Sequence, residues 1–484
     1  MIEARLPENL SGYHIHMIGI KGTGMAALAE LFVSQGARIT GSDVSDEFYT
    51  DTLLHKLHIP VASPFSASNI PNSTRLIIYS AAYTAEENPE LHAAIEKKLP
   101  RMSYPEALGA FSQYSYSVGI AGVHGKTTTT GIVGTLLKDL YLDVSVLAGS
   151  SVSNFGNSCT VLKGSKYFIA ETCEYKRHFL FFHPQKIILT SIESDHQDYY
   201  PQYEDILTAF LQYIDRLPQF SELFYCADDA GAREAAKIIF SSRPDLILTP
   251  YGKTAHGDYQ ITILGIQNGQ SVFSLHGFAG EFRIGIPGEH SILNAAAAIA
   301  LVISLLRQER KEITMEDLSS IRNSLISFKG AKRRSEILGE VNGILFMDDY
   351  GHHPTAIRKT LEGLRAFYPN RRIIADFMSH TYSRTAALLP EFAAAFSAAD
   401  TVILHKIYAS AREKYGGSLT GKTLYDKMKK RHKKIYYFEK VMEAKDFVKG
   451  ELRKGDLFIT IGAGDNWKLG RAVYTELLEK AADI

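Results

Sequence analysis

The stretch VGIAGVHGKTTTTGIV, residues 118 to 133, spaces Gly119, Gly122 and Gly125 three apart and follows them with Lys126 and Thr127. Glycines let successive backbone N–H groups turn inward on an anion, a helix N-terminus adds partial positive charge, and a lysine adds a full one. The first threonine hydroxyl is then placed for a magnesium ion. That chemistry is nucleotide phosphate binding, although the usual GxxxxGK[ST] spacing wants glycine where Ile120 stands. The structural alternative is a glycine-rich turn with a solvated lysine.

Other clusters extend this chemistry. Magnesium takes hard oxygen ligands, and Glu171 and the segment IESDH, ending in His196, offer a carboxylate and an imidazole. GIKGTG at 19 to 24 has the order GxxGxG, not GxGxxG, with Asp43 following 19 residues after Gly24. That order argues against a nicotinamide site but leaves room for a diphosphate on the helix that begins near Met25. GAKRR at 330 to 334 supplies cations that could neutralise a transferring phosphoryl group. DDYGHHPT at 348 to 355 packs two carboxylates and two imidazoles into eight residues, a density too costly for a core. SHTYSRT at 379 to 385 adds Arg384, a clamp for a substrate carboxylate. A switch that binds ATP without making a bond would account for residues 119 to 127 and leave these other clusters idle.

The elements that must position these groups read as strands alternating with helices, an α/β arrangement with parallel sheets. YHIHMIGI, a glycine turn, MAALAELFVSQG and ARITGSD begin a doubly wound sheet, with RLIIYSAA at 75 to 82 a later strand. YSVGIAG, KYFIAET, KIILTSI and ELFYCADD predict a second sheet of apolar, non-alternating strands. GILFMDDY, RRIIADF, TVILHKI and DLFITIGAG predict a third. Ligands in such sheets bind beyond the carboxyl ends of the strands, where Glu171 and IESDH fall. The expected units are 1–112, 113–328 and 329–484. ILNAAAAIALVISLL at 292 to 306 reads as a buried core helix, and KMKKRHKK at 427 to 434 as a solvated helix face.

Composition is that of an ordinary soluble chain. Of 484 residues, 53 are Lys or Arg and 53 Asp or Glu, so no global charge draws the chain to nucleic acid or membrane. Cys159, Cys173 and Cys226 form no CxxC pair and suit a reducing cytoplasm, and MIEARLPENLSG has no apolar stretch of the secretory kind.

GVHGKTTTT, TSIESDHQD, GEHSILN, GAKRR, DDYGHHPT, SHTYSRT and GAGDNW occur in the order found in the Mur ligases of peptidoglycan synthesis, which the chain resembles over nearly its whole length. The resemblance implies three domains: an N-terminal Rossmann-like one for a UDP-sugar, a central P-loop ATPase-type one, and a C-terminal Rossmann-like one that binds the amino acid and closes over the ATP site. It implies an ATP-dependent ligase that phosphorylates the lactyl carboxylate of UDP-N-acetylmuramate and lets the amine of L-alanine attack the acyl phosphate. YGHHPT and GIKGTGM also fit the ligase that recycles a murein tripeptide onto the same sugar; the GAGD at 462 to 465 favours L-alanine.

Carried over residue by residue, the resemblance puts Gly122, His124, Gly125, Lys126, Thr127 and Thr128 at the phosphates. His290 and Asn294 fall to adenine, Asp349 to ribose and Arg334 to the γ-phosphoryl group. Gly22, Thr23, Gly24, Met25, Asp43 and Ser80 would hold the UDP-sugar, and His352 with Arg384 would orient substrate and amino acid. Thr127 and Glu171 would bind one Mg2+ and His196 a second, with Glu174 a rival ligand. The resemblance implies a cytoplasmic monomer or weak homodimer. Ser291, Met378, Ser379 and Ser335 depart from the family's usual residues without removing a proposed catalytic group.

Overall fold

A computed structural model describes residues 4–310, 312–409 and 419–482. The first three residues of MIEARLPENLSG lie outside them. The first sheet is wholly parallel, with His14–Ile18 at its centre between Arg38–Ser42 and Leu76–Tyr79, and Val61–Ala62 and Arg101–Ser103 at its edges. The helix Thr23–Ser34 follows its central strand, and Gly22 at its N-cap makes no side-chain cap bond.

The second sheet has seven strands, and its central strand Tyr116–Ala121 lies between Lys186–Leu189 and Tyr167–Glu171. Three adjacent parallel strands therefore end on one edge, and the loops after them carry Gly122–Lys126, Glu174 and Glu193. The helix Lys126–Asp139 leaves that edge behind Gly125, whose φ of 83° is a left-handed conformation that glycine adopts without a Cβ penalty. The third large sheet has six strands, parallel except for the edge pair Glu336–Val341 and Ile344–Asp349.

Each strand read from the sequence forms. The antiparallel additions were not anticipated: Ser158–Leu162 at one edge of the second sheet, Glu336–Val341, and a separate three-stranded sheet of Ile261–Gln267, Gln270–Leu275 and Phe282–Ile284. The apolar run at 292 to 306 lies in the helix Glu289–Arg310, long and apolar enough to cross a membrane but mostly buried inside the protein. The basic run departs from expectation. Its helix Gly421–Met428 stops where Met428 is buried, and the following charges sit on an exposed turn.

One apolar core runs from Leu6 to Ala331 without a break at residue 112. The third large sheet has its own cores, one on each face. Burial therefore joins the first two sheets more intimately than it joins either to the third.

Candidate active site

Two of the glycines that opened the reading line a tight loop, and one does not. Gly119 lies within Tyr116–Ala121, where a Cβ would come 2.0 Å from the Tyr213 hydroxyl, so its smallness serves strand packing. Gly122, at φ 135°, leaves room for Thr190, and Gly125 leaves room for the Asn294 side chain 2.6 Å from where its Cβ would be. A Cβ at either position would push into a neighbour as well as strain the backbone.

Lys126 follows this loop with its side chain 12% exposed. Its Nζ donates to Glu174 at 2.8 Å and to the Gly122 carbonyl. Burial works against the ammonium charge, but Glu174 outweighs it and the Lys126 pKa is raised. Glu174 is also 3.4 Å from His196 Nε2. Burial pushes its carboxyl upward, yet Lys126 and His196 prevail and hold it at about 2. His196 sits at φ 55°, a conformation uncommon for a non-glycine residue and often found at functional sites.

Thr127 Oγ1 donates to Glu171 at 2.8 Å, and the Gly149 N–H donates to the same carboxylate oxygen at 2.8 Å. The two proposed ligands of the first magnesium therefore meet. His196 contacts Glu174 and Asp195 instead. The expected set divides into Thr127 with Glu171, and His196 with Glu174. These hydroxyl and carboxylate oxygens are the hard donors magnesium takes, and one imidazole stands beside them.

A cavity of about 760 Å³ opens over the loop. Of the expected ATP residues, His124, Gly125, Lys126, Thr127, Thr128, His290, Asn294, Arg334 and Asp349 line it, and Gly122 does not. Arg334 and Asp349 come from the third unit, so the cavity has walls on both sides of a domain seam. Asp349 accepts from the Ser335 and Gly351 N–H groups at 2.7 Å each. Arg334 lies over the Tyr350 ring, 5.3 Å from its centroid. Burial lowers the His290 pKa, which keeps that ring neutral.

His196, His352 and Arg384 lie outside this cavity's lining. Arg384 is 5% exposed and grips Asp195 through Nε at 2.9 Å and Nη2 at 2.7 Å. The guanidinium expected to clamp a substrate carboxylate here pairs with a protein carboxylate across the seam. Burial works against the Asp195 charge, but Arg384 holds its carboxyl well below the usual range. His352, beside Tyr350 and His380, has its pKa driven well below normal by burial, with the Arg384 charge adding to the effect.

The UDP-sugar candidates gather at the carboxyl edge of the first sheet. Asp43 accepts from the Lys21 N–H at 2.7 Å and the Val44 N–H at 2.8 Å, and Thr23 Oγ1 meets the Tyr49 hydroxyl at 2.6 Å. Gly24 leaves space for Tyr104, and Ser80 follows the strand Leu76–Tyr79. Met25 departs from expectation. It is 3% exposed and its side chain belongs to the core.

Sequence reasoning missed Glu193, Asp195 and His353, although the first two lie inside the quoted IESDH and the third inside DDYGHHPT. Glu193 contacts His124, accepts from Thr355 Oγ1 at 3.1 Å and lies 3.6 Å from His353 Nδ1. Burial pushes its carboxyl up, but His124 and His353 hold it at about 2.

Family comparisons match the chain in three consecutive segments: the Mur ligase family catalytic domain at residues 14–116, the Mur ligase middle domain at 120–302, and the Mur ligase glutamate ligase domain at 333–464. The chain is 58% identical to "UDP-N-acetylmuramate--L-alanine ligase" of Treponema pallidum strain Nichols, covering 99% of this chain and 100% of that relative. It is 40% identical to the protein of the same name from Borreliella burgdorferi, over 94% of this chain and 97% of the relative. The solved UDP-N-acetylmuramate-alanine ligase MurC of Thermotoga maritima superposes with a TM-score of 0.80 at 25% identity, covering 96% and 99% of the two chains. A murein peptide ligase of Psychrobacter arcticus, at 22% identity and a TM-score of 0.70 over 96% and 99%, shares the fold. Built on the same three sheets and matched along nearly its full length, this chain belongs to the Mur ligase family.

Proposed function

We propose that this chain is the ATP-dependent ligase that joins L-alanine to the lactyl carboxylate of UDP-N-acetylmuramate, a step of peptidoglycan precursor synthesis. The observation that carries the reading is the cavity in which Lys126, Thr127 and Asn294 of the central unit face Arg334 and Asp349 of the third. A nucleotide there would touch both units, as a closing ligase needs. The full-length relatives named for this reaction supply the substrates.

The proposed units are 1–112 for the UDP-sugar, 113–328 for ATP, and 329–484 for the amino acid and part of the ATP site. A carboxylate is a poor electrophile, so ATP must first convert it to an acyl phosphate, which the amine of L-alanine then attacks. Lys126 leaves Glu174 for the β and γ phosphates, and Arg334 meets the charge that develops on the transferring phosphoryl group. Thr127 and Glu171 would hold one Mg2+, and His196 with Glu174 a second, ions whose chemistry is to neutralise phosphate charge. His352, kept neutral by burial, would orient the substrate with Arg384. Closure of the third unit excludes water and limits hydrolysis of the acyl phosphate. The protein acts in the cytoplasm as a monomer or weak homodimer.

The test is phosphate release from ATP and magnesium with UDP-N-acetylmuramate, with and without L-alanine. Release that needs both, with a product heavier by one alanyl residue, supports the reading. Release driven by a murein tripeptide in place of L-alanine would move it to the recycling ligase, and release indifferent to either acceptor would overturn it.

A further inference from the structure

A half-buried cluster of His124, Glu193 and His353 lies beside the phosphate loop; His124 also lines the nucleotide cavity, but Glu193 and His353 have no part in the chemistry above. His124, Glu193 and His353 each bring a ligand atom within 4.8 Å of the others. They come from three separate elements: the phosphate loop, the loop after Lys186–Leu189, and the N-cap of the helix Pro354–Phe367. His124 Nε2 contacts Glu193 Oε1, and His353 Nδ1 lies 3.6 Å from the same oxygen.

His353 is 5% exposed, and its Nε2 is buried with no hydrogen-bond partner, beside the contact of His124 Nε2 with Glu193 Oε1. A buried polar atom is rarely left so and calls for a partner. A carboxylate and two imidazole nitrogens within reach of one centre are electron-pair donors, and a cation would satisfy all three.

We propose that His124, Glu193 and His353 form a binding site for a divalent ion of the zinc class, separate from the magnesium bound with the nucleotide. Two imidazoles and a carboxylate suit zinc, whereas magnesium prefers oxygen ligands alone. Three protein ligands leave a position open to water or an oxygen of a bound substrate. Thr355 Oγ1, donating to the second oxygen of Glu193, is the outer partner that orients the carboxylate. Because His353 and Thr355 belong to the third unit, an ion here also ties that unit to the phosphate loop.

The test is titration of Co2+, a coloured stand-in for zinc, into the chelator-treated full chain without nucleotide. One equivalent should bind with visible absorption of the intensity expected for four- or five-fold coordination, and Zn2+ should displace it. His353→Gln and His124→Gln, which sit on different elements, should each weaken binding at least tenfold with unchanged circular dichroism, while Glu171→Gln should leave it intact. Absence of the absorption overturns the proposal, as does absorption that survives both histidine changes but disappears in Glu171→Gln or His196→Gln. The readout is metal binding by the resting chain, so it stands or fails independently of the ligase reading.

Discussion

The ion pair of Lys126 and Glu174 is the most sharply testable element of the phosphate site. The side chains are 12% and 3% exposed and 2.8 Å apart. Breaking a buried pair by removing one charge costs about 3–5 kcal/mol, because the other charge is left in a poor medium. The proton equilibrium of Glu174 leads to the same size: a carboxyl moved from 4.5 to about 2 adds about 3 kcal/mol of folding free energy at neutral pH. That contribution is complete above 4.5 and is lost as pH falls from there through about 2. Glu174→Gln and Lys126→Met should therefore each destabilise the nucleotide-free protein by about 3 kcal/mol, and the double variant by far less than the sum, a coupling of about 3 kcal/mol. Urea unfolding followed by far-ultraviolet circular dichroism measures this at pH 7, and at pH 3 the wild type should have lost much of its advantage over Glu174→Gln. A non-hydrolysable ATP analogue should narrow the deficit of Glu174→Gln, since phosphate oxygens then stand in for the carboxylate. A coupling below about 1 kcal/mol, the level of an exposed pair, would refute the reasoning.

Gly363 lies in the helix Pro354–Phe367, where a Cβ would come 2.6 Å from the Gly288 Cα. Alanine in a helix is worth about 1 kcal/mol over glycine, so Gly363→Ala should keep the helix yet force the domain seam apart. ATP affinity measured by calorimetry should fall at least tenfold, and unchanged affinity would show that the seam yields at no cost. Arg384→Ala leaves Asp195 buried without its partner and should lower stability by about 3 kcal/mol in thermal unfolding, most of it recovered by adding Asp195→Asn. His405 and Asp376 are buried 2.7 Å apart in the third unit; burial opposes the imidazolium, but Asp376 raises its pKa. The resulting stability is complete below the ordinary histidine range and fades as pH rises through the raised value. Unfolding followed by the fluorescence of Trp467, the chain's single tryptophan, should weaken toward alkaline pH in the wild type and change little with pH in His405→Gln.

Legibility in the sequence followed the reach of each interaction. The parallel strands were readable because both faces of each are covered, which demands unbroken apolar runs such as KIIL and LFITI. The antiparallel edges were not, because Ile261–Gln267 is exposed along most of its length and has no such run. The phosphate loop was legible since its chemistry is local to Gly122–Thr127. Gly119 was over-read because a glycine needed for packing against Tyr213 looks the same in sequence as one needed for a turn. Arg384 was seen as a cation near a substrate, but its partner Asp195 is 189 residues away, a distance no spacing rule spans. The same holds for Glu193, whose meeting with His353 and Thr355 depends on how two sheets are placed.

That placement bears on how the nucleotide site is assembled. The first two sheets share one apolar core, whereas the third meets the second through Arg384 with Asp195 and Thr355 with Glu193, a seam of charges and hydrogen bonds. Seams of this polar kind between domains favour relative motion over permanent docking. The cavity takes Lys126 and Thr127 from one side and Arg334 and Asp349 from the other. A nucleotide that touches both walls binds the closed arrangement better than the open one, and linkage makes the effect reciprocal. Weakening the seam must then weaken nucleotide binding to the extent that it populates the open arrangement, even through a residue that never touches the nucleotide. Arg384 is such a residue: it lies outside the cavity lining, so a rise in the ATP dissociation constant of Arg384→Ala would report closure, not contact. If stability fell while ATP affinity stayed the same, the two walls would not be coupled, and the third unit would close on something other than the nucleotide.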